Sequence, residues 1–398
     1  MVAEDQMLDV LKERFHHDGF RPNQREIVDA VMAGRDVLAV LPTGGGKTLT
    51  YFLPSTMLPG MTIVVSPLVA LMQEQALLAR DFGIPVVFLQ RHTSDQEMAE
   101  TLRLVLSGTV KIMFVSPERL TMPGIRLVLH RVEVSLWVFD EAHCLVEWGH
   151  DFRPDYLRAA EYVRLRHEQV AAYTASATVG VRKEIAAALG LDDPAMVVGR
   201  VARPNIGLVV SERDGDGLAQ IEALARIYEG KSGIIYRNRI VDVERTVGYL
   251  RGKGIVAVPY HAQLCMGERN MNYVRWKSGE INLAVATVAF GLGISKDNVR
   301  LVVHGDMPRG IDEYYQQLGR AGRDGQVAVS ALLYGNRDAG LATWHAWHAA
   351  DRLKSMERVI AMENYLVTPA CRWQAIAAHY GQECEACGVC DNCRKGKA

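Results

Sequence analysis

Two tandem α/β domains with parallel sheets, closed by a C-terminal helical module around clustered cysteines, are the fold this sequence predicts. Three observations predict it. From Asp36 to about Asp193 short β-rich runs alternate with helical patterns, and the alternation resumes between Gly233 and Leu333. Five of the seven cysteines, Cys371, Cys384, Cys387, Cys390 and Cys393, fall in the last 28 residues. Parallel neighbours need long crossover connections, so strands spaced by helices read as parallel sheets.

The elements follow in order. Strands are predicted at Asp36 to Leu41, Met61 to Ser66, Val86 to Leu89, Lys111 to Ser116, Leu136 to Asp140 and Val170 to Thr174. Helices at Leu68 to Arg80, Gln96 to Ser107 and Gly180 to Leu189 separate them. A stretch rich in Arg, Pro, Gly and Asp, Arg200 to Gly217, reads as a linker with its flanks. Apolar runs at Gly233 to Tyr236, Ile255 to Pro259, Leu283 to Ala286, Val299 to His304 and Val327 to Leu333 predict a second sheet. One helical pattern then covers Ala339 to Tyr365 before the cysteines. Domains are therefore expected at 1–202, 203–337 and 338–398, in keeping with 398 residues at roughly 100 to 200 per domain.

Composition narrows the function classes. Hydrophobic residues make 49% and charged residues 23%, and 45 Lys plus Arg against 46 Asp plus Glu leave a charge of -1. That excludes disordered, collagen-like and broadly basic proteins, so any nucleic-acid contact must come from local patches. No apolar run reaches the 18 or so residues of a spanning helix, and the N-terminus is acidic where a signal peptide is basic. A cytoplasmic protein with no membrane partner is expected, and clustered thiols there point to metal and not to disulfides.

Three local patterns carry chemistry. Leu41-Pro42-Thr43-Gly44-Gly45-Gly46-Lys47-Thr48 joins a predicted strand to a helix. Its glycines let backbone N–H groups close on phosphate oxygens, Lys47 reaches the β and γ phosphates, and the Thr48 hydroxyl holds Mg²⁺. The strict pattern has glycine where Leu41 stands, and the bland alternative is a glycine-rich turn with an incidental lysine. Phe139-Asp140-Glu141-Ala142-His143 ends a later strand, with Asp140 placed for Mg²⁺ and Glu141 for the attacking water. In the second domain Gln316-Gln317-Leu318-Gly319-Arg320-Ala321-Gly322-Arg323 puts two arginines on one helix face, suited to charge on a transferring phosphoryl group. By itself that pair is better read as a surface salt-bridge pair; facing a phosphate loop across a cleft, the phosphoryl-contacting role becomes the better reading.

In this order on two tandem domains, the three patterns resemble superfamily 2 helicases. Phe20-Arg21-Pro22-Asn23-Gln24, the run Asp140 to Tyr156, the run Val285 to Arg300 and the terminal cysteines narrow the resemblance to the RecQ family of DNA helicases, over nearly the whole chain. The resemblance implies two RecA-like domains around an ATP cleft. It assigns Arg21 and Gln24 to adenine recognition, and Thr43, Gly44, Gly45, Gly46, Lys47 and Thr48 with Asp140 and Glu141 to phosphates, metal and water. It puts Arg320 and Arg323 on the γ phosphate from the second domain. His143 and the segment Thr174 to Thr178 would relay nucleotide state to DNA. His17 stands where the family usually stacks an aromatic near adenine, which implies weaker or different stacking.

Trp148-Gly149-His150-Asp151-Phe152-Arg153 has a reading of its own. Its aromatics can stack on single-stranded bases and its arginine can grip a phosphate, so Trp148, His150, Phe152 and Arg153 with His143 are expected to tie DNA contact to hydrolysis. The alternative is that Trp148 and Phe152 form one core face. Ser66-Pro67-Leu68, Ser116-Pro117-Glu118-Arg119 and Tyr260-His261-Ala262 are expected to face DNA from the carboxyl ends of strands, where open parallel sheets place ligands, although Ser-Pro alone is usually just a turn. Arg237-Asn238-Arg239-Ile240 and Gln263 depart from the family, which tends to have a small residue at the first place, the arginine one place later, and glycine for Gln263.

Cys387, Cys390 and Cys393 stand at intervals of three, with Cys371 sixteen residues earlier. Four thiolates close a tetrahedral, structural Zn²⁺ site. An iron–sulfur cluster is the chemical alternative, and Cys384 is read as a bystander. Family members typically continue into a winged-helix domain, whereas this sequence ends five residues after Cys393, as a piece of a longer chain or as a short natural form.

The expected function is an ATP-dependent DNA helicase using ATP, Mg²⁺ and Zn²⁺. The resemblance implies 3′ to 5′ translocation on single-stranded DNA and unwinding of partly duplex DNA, in repair or recombination, by a monomer that is nucleoid-associated if bacterial. The alternatives are a single-strand translocase that unwinds weakly and an ATP-gated DNA clamp.

Overall fold

The computed structural model describes residues 4–42, 44–146, 154–290, 296–349 and 351–395. The chain divides into two compact units, Met1–Arg200 and Val201–Ala398.

Among its described residues the first unit carries seven strands: β1 Val37–Val40, β2 Met61–Val65, β3 Val86–Leu89, β4 Ile112–Val115, β5 Val134–Phe139, β6 Val170–Thr174 and β7 Ala195–Val198. They lie in the order β3-β4-β2-β5-β6-β1-β7, and every neighbouring pair is parallel. Successive residues feed opposite faces. Leu38, Val40, Ile63, Val65, Trp137 and Phe139 enter one apolar cluster, while Val37, Ala39, Val64, Leu136 and Val138 enter the other. Both faces are covered, so these strands read as nearly continuous apolar runs.

The second unit carries β8 Ile206–Glu212, β9 Ser232–Tyr236, β10 Ala257–Tyr260, β11 Leu283–Ala286, β12 Val299–His304 and β13 Ala328–Tyr334. Their order is β10-β11-β9-β12-β13-β8, again all parallel. Two strands correct the linker expected from Arg200 to Gly217. β7 closes the first sheet just before it, and β8 lies inside it, paired with β13 from Ile206↔Ala328 to Glu212↔Tyr334. Ile206, Leu208 and Val210 alternate inward with polar or exposed positions, a period-2 signal masked by Arg, Pro, Gly and Asp on either side.

The helical stretch expected from Ala339 to Tyr365 is two helices, Asn336–Trp347 and Arg352–Val367. Asp351 divides them: its side chain accepts from Lys354 N at 3.0 Å and caps the second helix. The cysteine module shares the second unit's core. Trp373, Ile376, Tyr380 and Cys390 pack with Ile206, Leu208, Ile234 and Tyr314. Trp373 is fully buried and its indole N–H donates to Ile206 O at 3.0 Å, which adds the module to one face of β8. No helix among the described residues is long and apolar enough to cross a membrane.

Candidate nucleotide site and cysteine cluster

The loop after β1 needs its glycines. Gly44 and Gly46 hold φ of 84° and 77°, in the left-handed region that suits a residue without a β-carbon. A β-carbon on Gly46 would stand 2.2 Å from Gln24 Nε2, and one on Gly45 would stand 2.9 Å from Pro42 O. Gln24 and Arg21 lie against this loop: Gln24 Nε2 donates to Gly46 O at 3.0 Å and Arg21 Nη1 to Gly44 O at 3.1 Å. Arg21 N donates to Gln24 Oε1 at 2.7 Å, which fixes the amide. Thr48 precedes the helix Leu49–Met57, and Gln75, which the sequence did not single out, reaches its hydroxyl at 3.5 Å. Thr43 lies outside the described residues, and His17 is exposed.

At the carboxyl end of β5 the acidic pair meets the lysine. Lys47 Nζ stands 3.9 Å from Asp140 Oδ1 and 3.7 Å from Glu141 Oε1. His143 Nδ1 lies 3.3 Å from Glu141 Oε2 and 3.1 Å from Thr174 Oγ1, whose hydroxyl donates to Ser176 O at 2.9 Å. The sequence-named residues Lys47, Asp140, Glu141, His143 and Thr174 thus form one connected polar group. Burial pushes the Asp140 carboxyl up to about 6, the Lys47 charge pulls it back, and Glu141 beside it raises it again. Asp140 Oδ2 is buried and has no hydrogen-bond partner among the described residues. A buried oxygen left unpaired beside a second carboxylate fits a hydrated divalent cation. Trp148, His150, Phe152 and Arg153 lie outside the described residues.

The arginine pair is not on a helix face. Helix Ile311–Leu318 ends before it, and Arg320 and Arg323 stand in the turns that follow. The turn beyond the helix needs Gly322, which adopts φ 52°, and a β-carbon there would meet Asn205 Nδ2 at 2.6 Å and Gln326 O at 2.7 Å. Arg203 holds the turn by donating to Gly319 O at 3.0 Å and Gly322 O at 2.6 Å. Arg320 is 8% exposed. Burial and the neighbouring Arg320 charge push Arg323 down to about 10.

Ser66, Ser116 and His261 each directly follow the last residue of a strand, at the carboxyl ends of β2, β4 and β10. Arg119 is taken up internally, donating to the carbonyls of Gln90, Arg91 and Thr93 at 2.9, 2.9 and 2.5 Å. Arg237 is buried against Asp306 at 3.1 Å, while the exposed Arg239 pairs with Asp242 at 2.6 Å.

In the C-terminal module the sulfurs of Cys371, Cys387, Cys390 and Cys393 all lie within 4.8 Å of one another, and Cys384 is outside the group. Cys387 to Cys393 is 4.0 Å and Cys390 to Cys371 is 3.9 Å. A tetrahedron of thiolates about 2.3 Å from zinc has edges of roughly 3.8 Å, so the set fits the ion. Backbone N–H groups point at the sulfurs: Cys387 N to Cys371, Cys390 N to Cys387 and Cys393 N to Cys390, at 3.3, 3.3 and 3.4 Å. Burial pushes the Cys371 thiol up, but N–H groups of Cys387 and Gln374 outweigh it and hold the thiol down to about 7. Arg372 braces the module, donating to Asp391 at 3.0 and 3.1 Å and to Tyr365 O and Leu366 O.

The DEAD/DEAH box helicase family matches residues 21–185, the helicase conserved C-terminal domain matches 219–325, and the RecQ zinc-binding family matches 344–394. A RecQ ATP-dependent DNA helicase of Bacillus subtilis is 32% identical over 98% of this chain and 67% of its own length. The chain belongs to the RecQ family of DNA helicases. A RecQ protein of Pasteurella multocida is 36% identical over 96% of this chain, which spans 62% of that relative's length. Among solved structures, the Mycobacterium smegmatis helicase Lhr bound to single-stranded DNA and AMP-PNP aligns with a TM-score of 0.62 at 19% identity, over 92% of this chain and 54% of that one. Saccharomyces cerevisiae Dbp5 bound to RNA and ADP BeF3 aligns at 0.61 and 15% identity, over 88% and 92%. At these identities the likeness is one of fold, the RecA-like pair of parallel sheets.

Proposed function

We propose that this RecQ chain is an ATP-dependent DNA helicase that couples DNA-stimulated hydrolysis to 3′ to 5′ translocation on single-stranded DNA and to duplex unwinding. The observation that carries it is Lys47 set between Asp140 and Glu141 at the end of β5, beside a glycine loop braced by Gln24 and Arg21. In this reading Arg21 and Gln24 bind adenine, the loop from Thr43 to Gly46 cradles phosphates, and Lys47 neutralises charge on the β and γ oxygens. Thr48 and Asp140 would hold Mg²⁺, which supplies neutralisation of the phosphate oxygens when bound. Glu141 orients the attacking water and takes its proton, and Arg320 and Arg323 stabilise the γ phosphoryl in the transition state.

His143, with Trp148, His150, Phe152 and Arg153, reports DNA to this centre. Cys371, Cys387, Cys390 and Cys393 hold Zn²⁺ in a structural role. We divide the chain functionally at 1–202, 203–337 and 338–398, and place it as a cytoplasmic monomer acting in DNA repair or recombination.

The test is ATP turnover with single-stranded DNA, duplex DNA and RNA side by side, with strand displacement on a 3′-tailed and a 5′-tailed duplex. Stimulation by single-stranded DNA and displacement of the 3′-tailed substrate are expected. DNA-stimulated turnover without displacement identifies a translocase, and DNA binding without turnover identifies a clamp.

A further inference from the structure

Glu141 stands on a strained backbone. At φ 52° and ψ 47° it occupies the left-handed region, which a residue with a β-carbon keeps only when its surroundings hold it there. The surroundings here are specific. The peptide joining Asp140 to Glu141 is clamped at both ends: its N–H donates to Asp140 Oδ1 at 3.0 Å, and its carbonyl accepts from the Tyr156 hydroxyl. The Tyr156 oxygen also lies 3.1 Å from Val65 O. The single phenolic proton serves one carbonyl at a time, and the nearer of the two is Asp140 O.

Tyr156 itself cannot drift. It is fully buried on the helix Pro154–Arg164, and its ring packs against Phe139 with centroids 5.5 Å apart. On the far side of Glu141, its carbonyl accepts from Cys144 N at 3.0 Å, which fixes the next turn. Rotation of the clamped peptide plane would change the Glu141 φ directly. It would swing the carboxylate away from Lys47 and from His143, which now stand 3.7 and 3.3 Å from it.

We propose that Tyr156 is a positioning residue of the phosphate site, whose hydroxyl clamps the Asp140–Glu141 peptide and so keeps the Glu141 carboxylate aimed at the attacking water. The proposal rests on the role given to Glu141 above. It predicts a kinetic split. Substrate binding depends on the glycine loop, Lys47, Arg21 and Gln24, none of which Tyr156 touches in the contacts described, whereas the chemical step depends on where Glu141 points. Small misplacement of a catalytic group costs rate steeply because the reacting geometry is narrow.

The experiment compares Tyr156→Phe with Tyr162→Phe in the full chain. Tyr162 lies on the same helix and packs against Trp137, but its hydroxyl is 3.4 Å from Arg166 Nη1 and away from the acidic pair. Tyr156→Phe is expected to lower kcat for ATP by about ten- to a hundredfold with KM for ATP within about twofold. Tyr162→Phe is expected to leave both values in place, and the melting temperatures of the two variants are expected to agree. Unchanged kcat in Tyr156→Phe, equal loss in both variants, a KM that rises in step, or a melting point lost in Tyr156→Phe alone would each make the hydroxyl a packing element and overturn the proposal. Glu141→Gln separates the two levels. If it retains turnover, the role of Glu141 itself is wrong; if it is inactive while Tyr156→Phe is normal, only the clamp is wrong.

Discussion

Around Lys47 the charged groups stand 3.3 to 3.9 Å apart and leave Asp140 Oδ2 without a partner among the described residues, whereas around Cys390 three of the four sulfurs already accept a backbone N–H. The first arrangement holds unspent polar capacity, a carboxyl pushed up to about 6 and a left-handed glutamate. The second is complete in its geometry, with thiol separations of 3.9 and 4.0 Å near the edges of a zinc tetrahedron. The difference separates two uses of a polar cluster. On the proposed function the first must admit and release a nucleotide and keeps donors and acceptors under-satisfied, whereas the second, as a structural metal site, satisfies them locally.

That contrast breaks first at the cysteines. Metal binding to such a set is part of folding, and Cys390 is fully buried in the core shared by Ile206, Tyr314 and Trp373. Cys390→Ser is expected to release zinc and to lower the melting temperature by about 10 °C or more, or to leave the chain insoluble, as for loss of about 4 kcal/mol or more. Metal analysis of the purified chain reads it. Iron in place of zinc, or normal stability without metal, would refute the structural role.

Lys47→Ala tests the other side. Turnover of ATP is expected to fall more than about a hundredfold, some 2.7 kcal/mol of transition-state stabilisation, while melting and nucleotide-free DNA binding stay near the parent. A melting loss comparable to that of Cys390→Ser would erase the contrast, because it would make the lysine a structural ion-pair partner of Asp140 and Glu141.

Both regions were legible where their residues lie close together in sequence. The glycine turn Gly44 to Gly46 and the clustering of Cys387, Cys390 and Cys393 could be read directly, because a tight loop and a set of converging thiols each demand particular residues at short intervals. Placement was harder wherever partners are distant in sequence. Arg320 and Arg323 were expected on a helix face, but the helix ends at Leu318 and the left-handed Gly322 turns the chain where Arg203 and Asn205 dock on its carbonyls. β8 was hidden in a Pro- and Gly-flanked stretch because its pairing residues lie beyond Val327. Tyr156 carried no local signal, since its contacts with Asp140 O and Val65 O join three separate segments. Asp351 did carry one, an N-cap before a helical run, and it marks the break in the helix that periodicity alone ran together.

A smaller effect sharpens the phosphate side by asking how it senses DNA. Trp148→Ala and Arg153→Ala are expected to keep basal hydrolysis and lose its stimulation by single-stranded DNA, with binding weakened by about 1 to 3 kcal/mol as for one stacking or phosphate contact. Full stimulation in either variant would return Trp148 and Phe152 to a core-face role.

The smallest expected effect is a pH slope in the unit that holds the cysteines. His304, on β12, is fully buried between Tyr236 at 5.5 Å and Tyr314 at 4.8 Å, and burial pushes its imidazole down from 6.5 to about 3. The unfolded chain therefore binds a proton near pH 6.5 that the folded chain refuses until about pH 3. Stability from this residue is whole above pH 6.5 and is lost as pH falls toward 3. Between pH 7.5 and 5.5 the loss is about 1.4 kcal/mol, small beside removal of the metal and still measurable by urea unfolding at the two values. Tyr314 also packs on Tyr365, and Tyr365 on Arg372 beside Cys371, so the slope reports the core that the cysteine module shares with β12. His304→Gln cannot take up that proton and is expected to flatten the slope by the same amount, whatever it costs in packing at both values. A slope that persists undiminished in the variant would assign the pH dependence to other groups and leave His304 as an inert part of the core.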